Sequence, residues 1–126
     1  QIQDKRKTLW LTYNEELSLL EKQGKLKLAH IPNYATNNAH MFYVLTNNIG
    51  ERDALISHLK QNGVHAVFHY LSLHKSPYHL KNNSEEIRHL PQSDRYTDCL
   101  IRLPLFYDLQ VEDVTQISTI IKEFYK

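Results

Sequence analysis

Eight histidines stand in this chain, and four of them, His65, His69, His74 and His79, fall within fifteen positions. A zinc centre needs three or four converging ligands, and a strand through this region would place His65 and His69 on one face. His74 and His79 follow through a loop, no carboxylate or thiolate is placed to complete a tetrahedron, and neither an HExxH helix nor a CxxC pair occurs. No metal is expected. Nucleophilic chemistry has equally little support. The single cysteine, Cys99, lies between Tyr96 and Leu100 in an amphipathic stretch, where it reads as a small buried apolar residue, and no GxSxG elbow is present. Gly24, Gly50 and Gly63 each read as helix or turn punctuation, which leaves no glycine-rich phosphate loop. Lys5-Arg6-Lys7 reads as a solvated helix face, and the sequon Asn82-Asn83-Ser84 has no secretion signal to give it meaning. The remaining cluster is Phe68-His69-Tyr70-Leu71-Ser72-Leu73-His74, leaving a strand and entering a loop. There Tyr70 and His74 could hydrogen-bond a phosphate or a sugar hydroxyl from a rigid support. A strand end with ordinary surface polar residues is the competing reading, and spacing alone does not separate the two.

The elements that hold this cluster follow from periodicity. Leu9, Tyr13, Leu17 and Leu20 predict a helix over 3–22 closed by Gln23-Gly24, and 25–39, with Pro32 and several Asn, reads as an irregular connection. Met41–Thr46 reads as a buried strand, Glu51–Gln61 as a helix capped by Asn62-Gly63, and His65–Tyr70 as a second strand. Residues 71–90 read as a long loop, Ser93–Cys99 as a short helix, Leu100–Leu103 as a third strand, and Val114 to Phe124 as the closing amphipathic helix. The expected architecture is α+β, a small three-stranded sheet with helices mainly on one face. The first two strands flank a helix and should be parallel; the third could lie at an edge or between them, and the split arrangement, with the third central and antiparallel to both, is favoured.

Composition sets the outer bounds. The 126 residues are 41% hydrophobic and 23% charged with a net charge of +1, values of an ordinary folded domain. That balance lacks the basic footprint of a nucleic-acid or membrane-surface binder. One cysteine suits a reducing, cytoplasmic setting. The chain begins at Gln1 and holds one methionine, Met41, and its first helix is under way by residue three, so a piece of a longer protein is expected.

Three segments together resemble a known family. Ala39-His40-Met41-Phe42-Tyr43-Val44, then Ala66-Val67-Phe68-His69-Tyr70 with Leu73-His74 and Pro77, then Leu100-Ile101-Arg102-Leu103-Pro104-Leu105-Phe106-Tyr107 resemble the C-terminal domain of the DegT/DnrJ/EryC1/StrS sugar aminotransferases. The resemblance covers the whole chain, with Arg6, Trp10, Tyr13 and Leu17 fitting the helix that leads out of the family's large domain. It implies the small domain, residues 1–126, of the fold type I pyridoxal-phosphate architecture, from a homodimeric enzyme. That enzyme would move an amino group from glutamate to a keto sugar nucleotide of the dTDP-4-keto-6-deoxy kind. The pyridoxal phosphate, its Schiff-base lysine and the aspartate on its pyridinium nitrogen belong to the family's large domain, and none of the ten lysines here lies in the lysine motif. No catalytic residue is therefore expected in this chain. His69, Tyr70 and His74 match the family's HY..LH stretch and are the implied substrate-binding residues; Arg102 and His40 are added to them, with a satisfied core histidine as the other reading of His40. Ser72 stands where family members often carry proline, which implies a less rigid loop. Gln110 stands where a serine or threonine would cap the last helix, a loss of about 1 kcal/mol.

Overall fold

The computed structural model describes residues 1–82 and 89–126. In chain order these form α1 (Ile2–Lys22), β1 (Lys27–Leu28), β2 (Phe42–Leu45), α2 (Ile49–Gln61), β3 (Val67–Phe68), a single 3-10 turn (Leu73–Lys75), α3 (Pro77–Asn82), α4 (Pro91–Cys99), β4 (Leu100–Leu103) and α5 (Val111–Phe124). The sequon residues Asn83 and Ser84 lie outside the described residues, as does part of the expected loop 71–90.

The sheet runs in the order β1-β2-β4-β3. β4 lies between β2 and β3 and is antiparallel to both, with Val44 opposite Ile101 and Phe68 opposite Ile101 on the other side, so β2 and β3 are parallel as expected. The sheet has four strands rather than three. Lys27 and Leu28, inside the stretch expected to be irregular, pair antiparallel with Leu45 and Val44. A two-residue strand shows only one alternation, exposed then buried, and carries no period a sequence could reveal. The second strand is also shorter than expected, ending at Phe68, because β4 starts at Leu100 directly out of α4 and offers little backbone beyond that level. His69 and Tyr70 therefore leave the sheet.

Side chains alternate across the sheet. Phe42, Val44, Ile101 and Leu103 face one side and join Leu9, Trp10, Tyr13 and Leu17 of α1, Leu55 and Leu59 of α2, and Val114, Ile117 and Ile121 of α5 in one core. The Tyr13 ring stacks on Phe42 at 4.8 Å and Trp10 meets it edge-on at 5.3 Å, arrangements that suit the ring quadrupoles. The three long helices thus cover one face. On the other, Leu45, Cys99 and Leu100 form a small cluster with Tyr43 against it, while Tyr43 and Arg102 are cross-strand partners.

Helix ends account for the connections. Gly24 (φ 71°) and Gly63 (φ 77°) are left-handed, and each is followed by a paired return of backbone bonds: Gly24 N to Glu21 O at 2.9 Å with Lys25 N to Leu20 O at 2.9 Å, and Gly63 N to Lys60 O at 3.0 Å with Val64 N to Leu59 O at 2.9 Å. α2 begins at Ile49, not at residue 51, because the Asn48 side chain accepts the Glu51 amide at 2.9 Å and so draws Gly50 into the first turn. At α5 the Asp113 carboxylate accepts the Gln110 amide at 2.9 Å, one half of a capping box, which offsets the loss expected from glutamine at that position.

Candidate functional site

Beyond Phe68 the chain crosses the end of the sheet through residues 69–72 and enters the 3-10 turn. Ser72 is extended (φ −62°, ψ 125°), and the turn is closed only locally, by Lys75 N to Ser72 O at 3.1 Å and Ser76 N to Leu73 O at 3.0 Å. Ser76 then caps α3 through its hydroxyl, which accepts the His79 amide at 3.2 Å, and Pro77 stands at the first helical position, where its missing amide loses nothing.

Opposite this segment stands α4, and between them opens a cleft of about 700 Å³. Its floor is Tyr43 and Leu100 of the sheet's outer face; its walls include His69, Tyr70, Ser72, His74 and His79 on one side and Ser93, Tyr96 and Thr97 on the other. The upper edge is unusually apolar for exposed surface, with Tyr70, Leu71 and Leu73 each more than two thirds exposed.

One carboxylate organises the polar side of the cleft. Asp94 Oδ1 receives Lys75 Nζ at 2.8 Å and lies 3.1 Å from His74 Nε2 and 3.5 Å from Ser72 Oγ, and Ser72 Oγ in turn is 2.6 Å from Thr97 Oγ1. The His74 contact is close in distance but off hydrogen-bond alignment, so it acts as a charge contact when the ring is protonated. The Lys75 hydrogen bond, more than any other neighbour, holds the Asp94 carboxyl below the usual carboxylate range. At Ser72, where the missing proline implies a less rigid loop, a side chain makes the link to α4. In place of a proline ring the chain has a buried hydroxyl tied to α4.

Three of the five expected binding residues, His69, Tyr70 and His74, therefore come together on one wall. The His69 ring lies 4.3 Å from the Tyr70 ring, tilted by 59°, and its Nδ1 is buried with no hydrogen-bond partner among the described residues. Such a nitrogen is an unmet hydrogen-bonding group behind the cleft wall. Tyr43, on the cleft floor, has its hydroxyl pKa raised, by burial first and by Tyr96 second.

Arg102 and His40 sit elsewhere. With His65, Met41 and Val67 they line a separate recess of about 180 Å³ toward the other end of the same sheet face. His40 is exposed, its Nδ1 2.7 Å from Asn38 Oδ1, so the core reading of this histidine is corrected. The preceding Ala39, fully buried, takes a left-handed φ of 50° with its amide held by Asn37 Oδ1 at 2.8 Å. Tyr43, Tyr96 and Thr97 are among the cleft residues that sequence reasoning missed, and so is Asp94, which stands behind the lining and touches it through Ser72 and His74. Asp94 had a visible local role as an acidic residue early in a helix; its partners lie about twenty positions away, and no spacing rule connects them.

Comparison with known proteins agrees with this fold. The family model described as DegT/DnrJ/EryC1/StrS aminotransferase family matches residues 1–122. A curated relative, the UDP-4-amino-4-deoxy-L-arabinose–oxoglutarate aminotransferase of Shewanella sediminis, is 26% identical over 98% of this chain and 33% of its own length. Among solved structures, DesV of S. venezuelae in complex with a ketimine intermediate superposes with a TM-score of 0.86 at 22% identity, covering 98% of this chain and 32% of that one. Helicobacter pylori PseC, an aminotransferase of pseudaminic acid biosynthesis, gives 0.83 at 17% identity over 98% and 32%. The chain thus spans about a third of the length of the relatives it matches. With a match over nearly all its residues and this shared fold, the chain belongs to the DegT/DnrJ/EryC1/StrS aminotransferase family.

Proposed function

We propose that this chain is the C-terminal small domain of a pyridoxal-phosphate sugar aminotransferase and supplies one wall of its sugar-nucleotide pocket. The observation that carries the reading is the convergence of His69, Tyr70 and His74 on a single cleft above Tyr43 and Leu100. Neutral imidazole and phenol groups can both donate and accept, which suits sugar hydroxyls and phosphate oxygens. Arg102 and His40 make the outlying contacts, reached by a ligand long enough to pass Tyr43 along the same sheet face.

The cofactor belongs to another part of the enzyme. It supplies the electron sink for amino transfer and needs a lysine free to bond its aldehyde. Lys75, beside the cleft wall, has its ammonium engaged by Asp94 at 2.8 Å and its side chain 60% exposed, a poor setting for that task. The chain alone is accordingly inert, and the active species is a homodimeric, cytoplasmic, longer enzyme using glutamate as amino donor. For the acceptor we assign a dTDP-4-keto-6-deoxy sugar, as in the dTDP-4-amino-4,6-dideoxygalactose transaminase of enterobacterial common antigen synthesis. Two likenesses support a nucleotide sugar: the relative named for UDP-4-amino-4-deoxy-L-arabinose, and DesI, solved in the presence of its TDP-sugar product, with a TM-score of 0.79 at 20% identity.

Titrating pyridoxal phosphate into this chain and into the full-length enzyme tests the proposal. An absorbance band abolished by borohydride should form in the full-length protein alone. A band in neither would leave the chain a binding module without this cofactor.

A further inference from the structure

We propose that Asp94 is the positioning residue of the cleft: its carboxylate clasps the 72–75 segment to α4 and thereby sets where His74 meets the sugar nucleotide. The inference rests on the functional reading above. Three side chains from four consecutive residues, Ser72, His74 and Lys75, converge on one oxygen, Asp94 Oδ1, at 3.5, 3.1 and 2.8 Å. Apart from the Ser72–Thr97 hydroxyl pair, little else among the described residues fixes that segment. β3 has ended at Phe68, the backbone bonds of the 3-10 turn are internal to it, and Leu71 and Leu73 are 74% and 84% exposed. The segment's tie to the body of the domain is therefore polar.

The clasp has an inner and an outer arm. The Lys75 side chain is 60% exposed and neutralises Asp94 from the solvent side, whereas His74 is only 7% exposed and lies on the cleft side. Ser72, buried and bonded to Thr97 Oγ1, closes the inner arm. Removing the carboxylate releases Lys75 and His74 at once and leaves Ser72 held by Thr97 alone. A displacement of an ångström at a binding group is enough to lose much of its contribution.

The test uses the cofactor-loaded full-length enzyme with dTDP-4-keto-6-deoxyglucose and L-glutamate. Asp94→Ala should raise KM for the sugar nucleotide about tenfold, with kcat within about twofold and KM for glutamate unchanged. Asp94→Glu should recover most of the loss, and Lys75→Ala, which removes only the outer arm, should raise that KM by less than Asp94→Ala does. A second readout does not depend on turnover: the ring nitrogen signals of His74, assigned with His74→Gln, should move in Asp94→Ala. An unchanged sugar-nucleotide KM overturns the proposal, as does a loss shared by kcat and both KM values together with a lowered melting temperature, which would mark a merely structural residue. If the wild-type enzyme transfers no amino group, displaced His74 signals would uphold the clasp while the functional reading falls; unmoved signals would remove both.

Discussion

The hydroxyl pair that joins the cleft's two walls lends itself to a quantitative test. Ser72 Oγ and Thr97 Oγ1 are 2.6 Å apart, and Ser72 is only 6% exposed. A neutral hydrogen bond contributes about 1 kcal/mol net, and one left unmade at a buried site costs somewhat more. Thr97 is half-buried, so water can reach its hydroxyl once Ser72 is truncated. Ser72→Ala should then destabilise the chain by about 1 kcal/mol, a fall of roughly 3–5 °C in melting temperature for a domain of this size. Thr97→Val, nearly the same shape without the hydroxyl, should do the same, because the remaining Ser72 contact to Asp94 is long at 3.5 Å. The double variant loses one interaction, not two. Its total should stay near that of either single change, a coupling of about 1 kcal/mol in a cycle read by urea unfolding at neutral pH. Two single effects that add to within about 0.3 kcal/mol would refute the claim that the hydroxyls act on each other.

Two further outcomes concern the scaffold. Burial, and then the Asp113 charge, push the Tyr13 hydroxyl well above its ordinary pKa, and the group donates to Pro104 O at 3.0 Å. Its stabilisation is therefore complete below the unfolded value of about 10 and is lost as pH rises beyond it; Tyr13→Phe should lower stability by about 1 kcal/mol at neutral pH and flatten the decline of melting temperature measured above pH 10. Gly63→Ala meets no side chain but forces alanine to a φ of 77°, so a loss of about 1–2 kcal/mol in denaturant unfolding is expected.

Much of the scaffold was legible because it rests on repeated local signals. The apolar spacing of α1 and α5, the glycines after α1 and α2, and the aromatic and β-branched run of β2 each report burial directly. The parallel sense of β2 and β3 followed from the helical connection between them, while the central place of β4 was the favoured one of two positions, chosen because such units with a returning strand commonly close that way. β1 was not legible, since its two residues are a strand only because Leu45 and Val44 offer them an edge. The cleft shows the same division. His69, Tyr70 and His74 stand out as a cluster in the sequence, while the opposing wall is supplied by α4, whose Asp94 and Thr97 gain meaning only when tertiary packing brings them to Ser72 and Lys75. Arg102 and His40 were attached to the same site by motif membership. Strand alternation and the length of β4 carry them to its far end instead.

The junction of α4 and β4 gives the two jaws of the cleft different characters. Leu100 is at once the residue that ends the helix and the first residue of the central strand, and the carbonyl of Cys99 just before it accepts both the amide and the hydroxyl of Thr46, at 2.9 and 3.2 Å. No spacer separates helix from sheet there, so the α4 jaw is an extension of the domain's framework and meets a ligand already ordered. The jaw built from 69–82 is mostly exposed and held across by side chains, so the entropy of fixing it falls on binding. Substitutions in that jaw can retune affinity and ligand choice by changing how much order remains to be imposed, while the framework jaw, and with it the register of the sheet, stays unaltered.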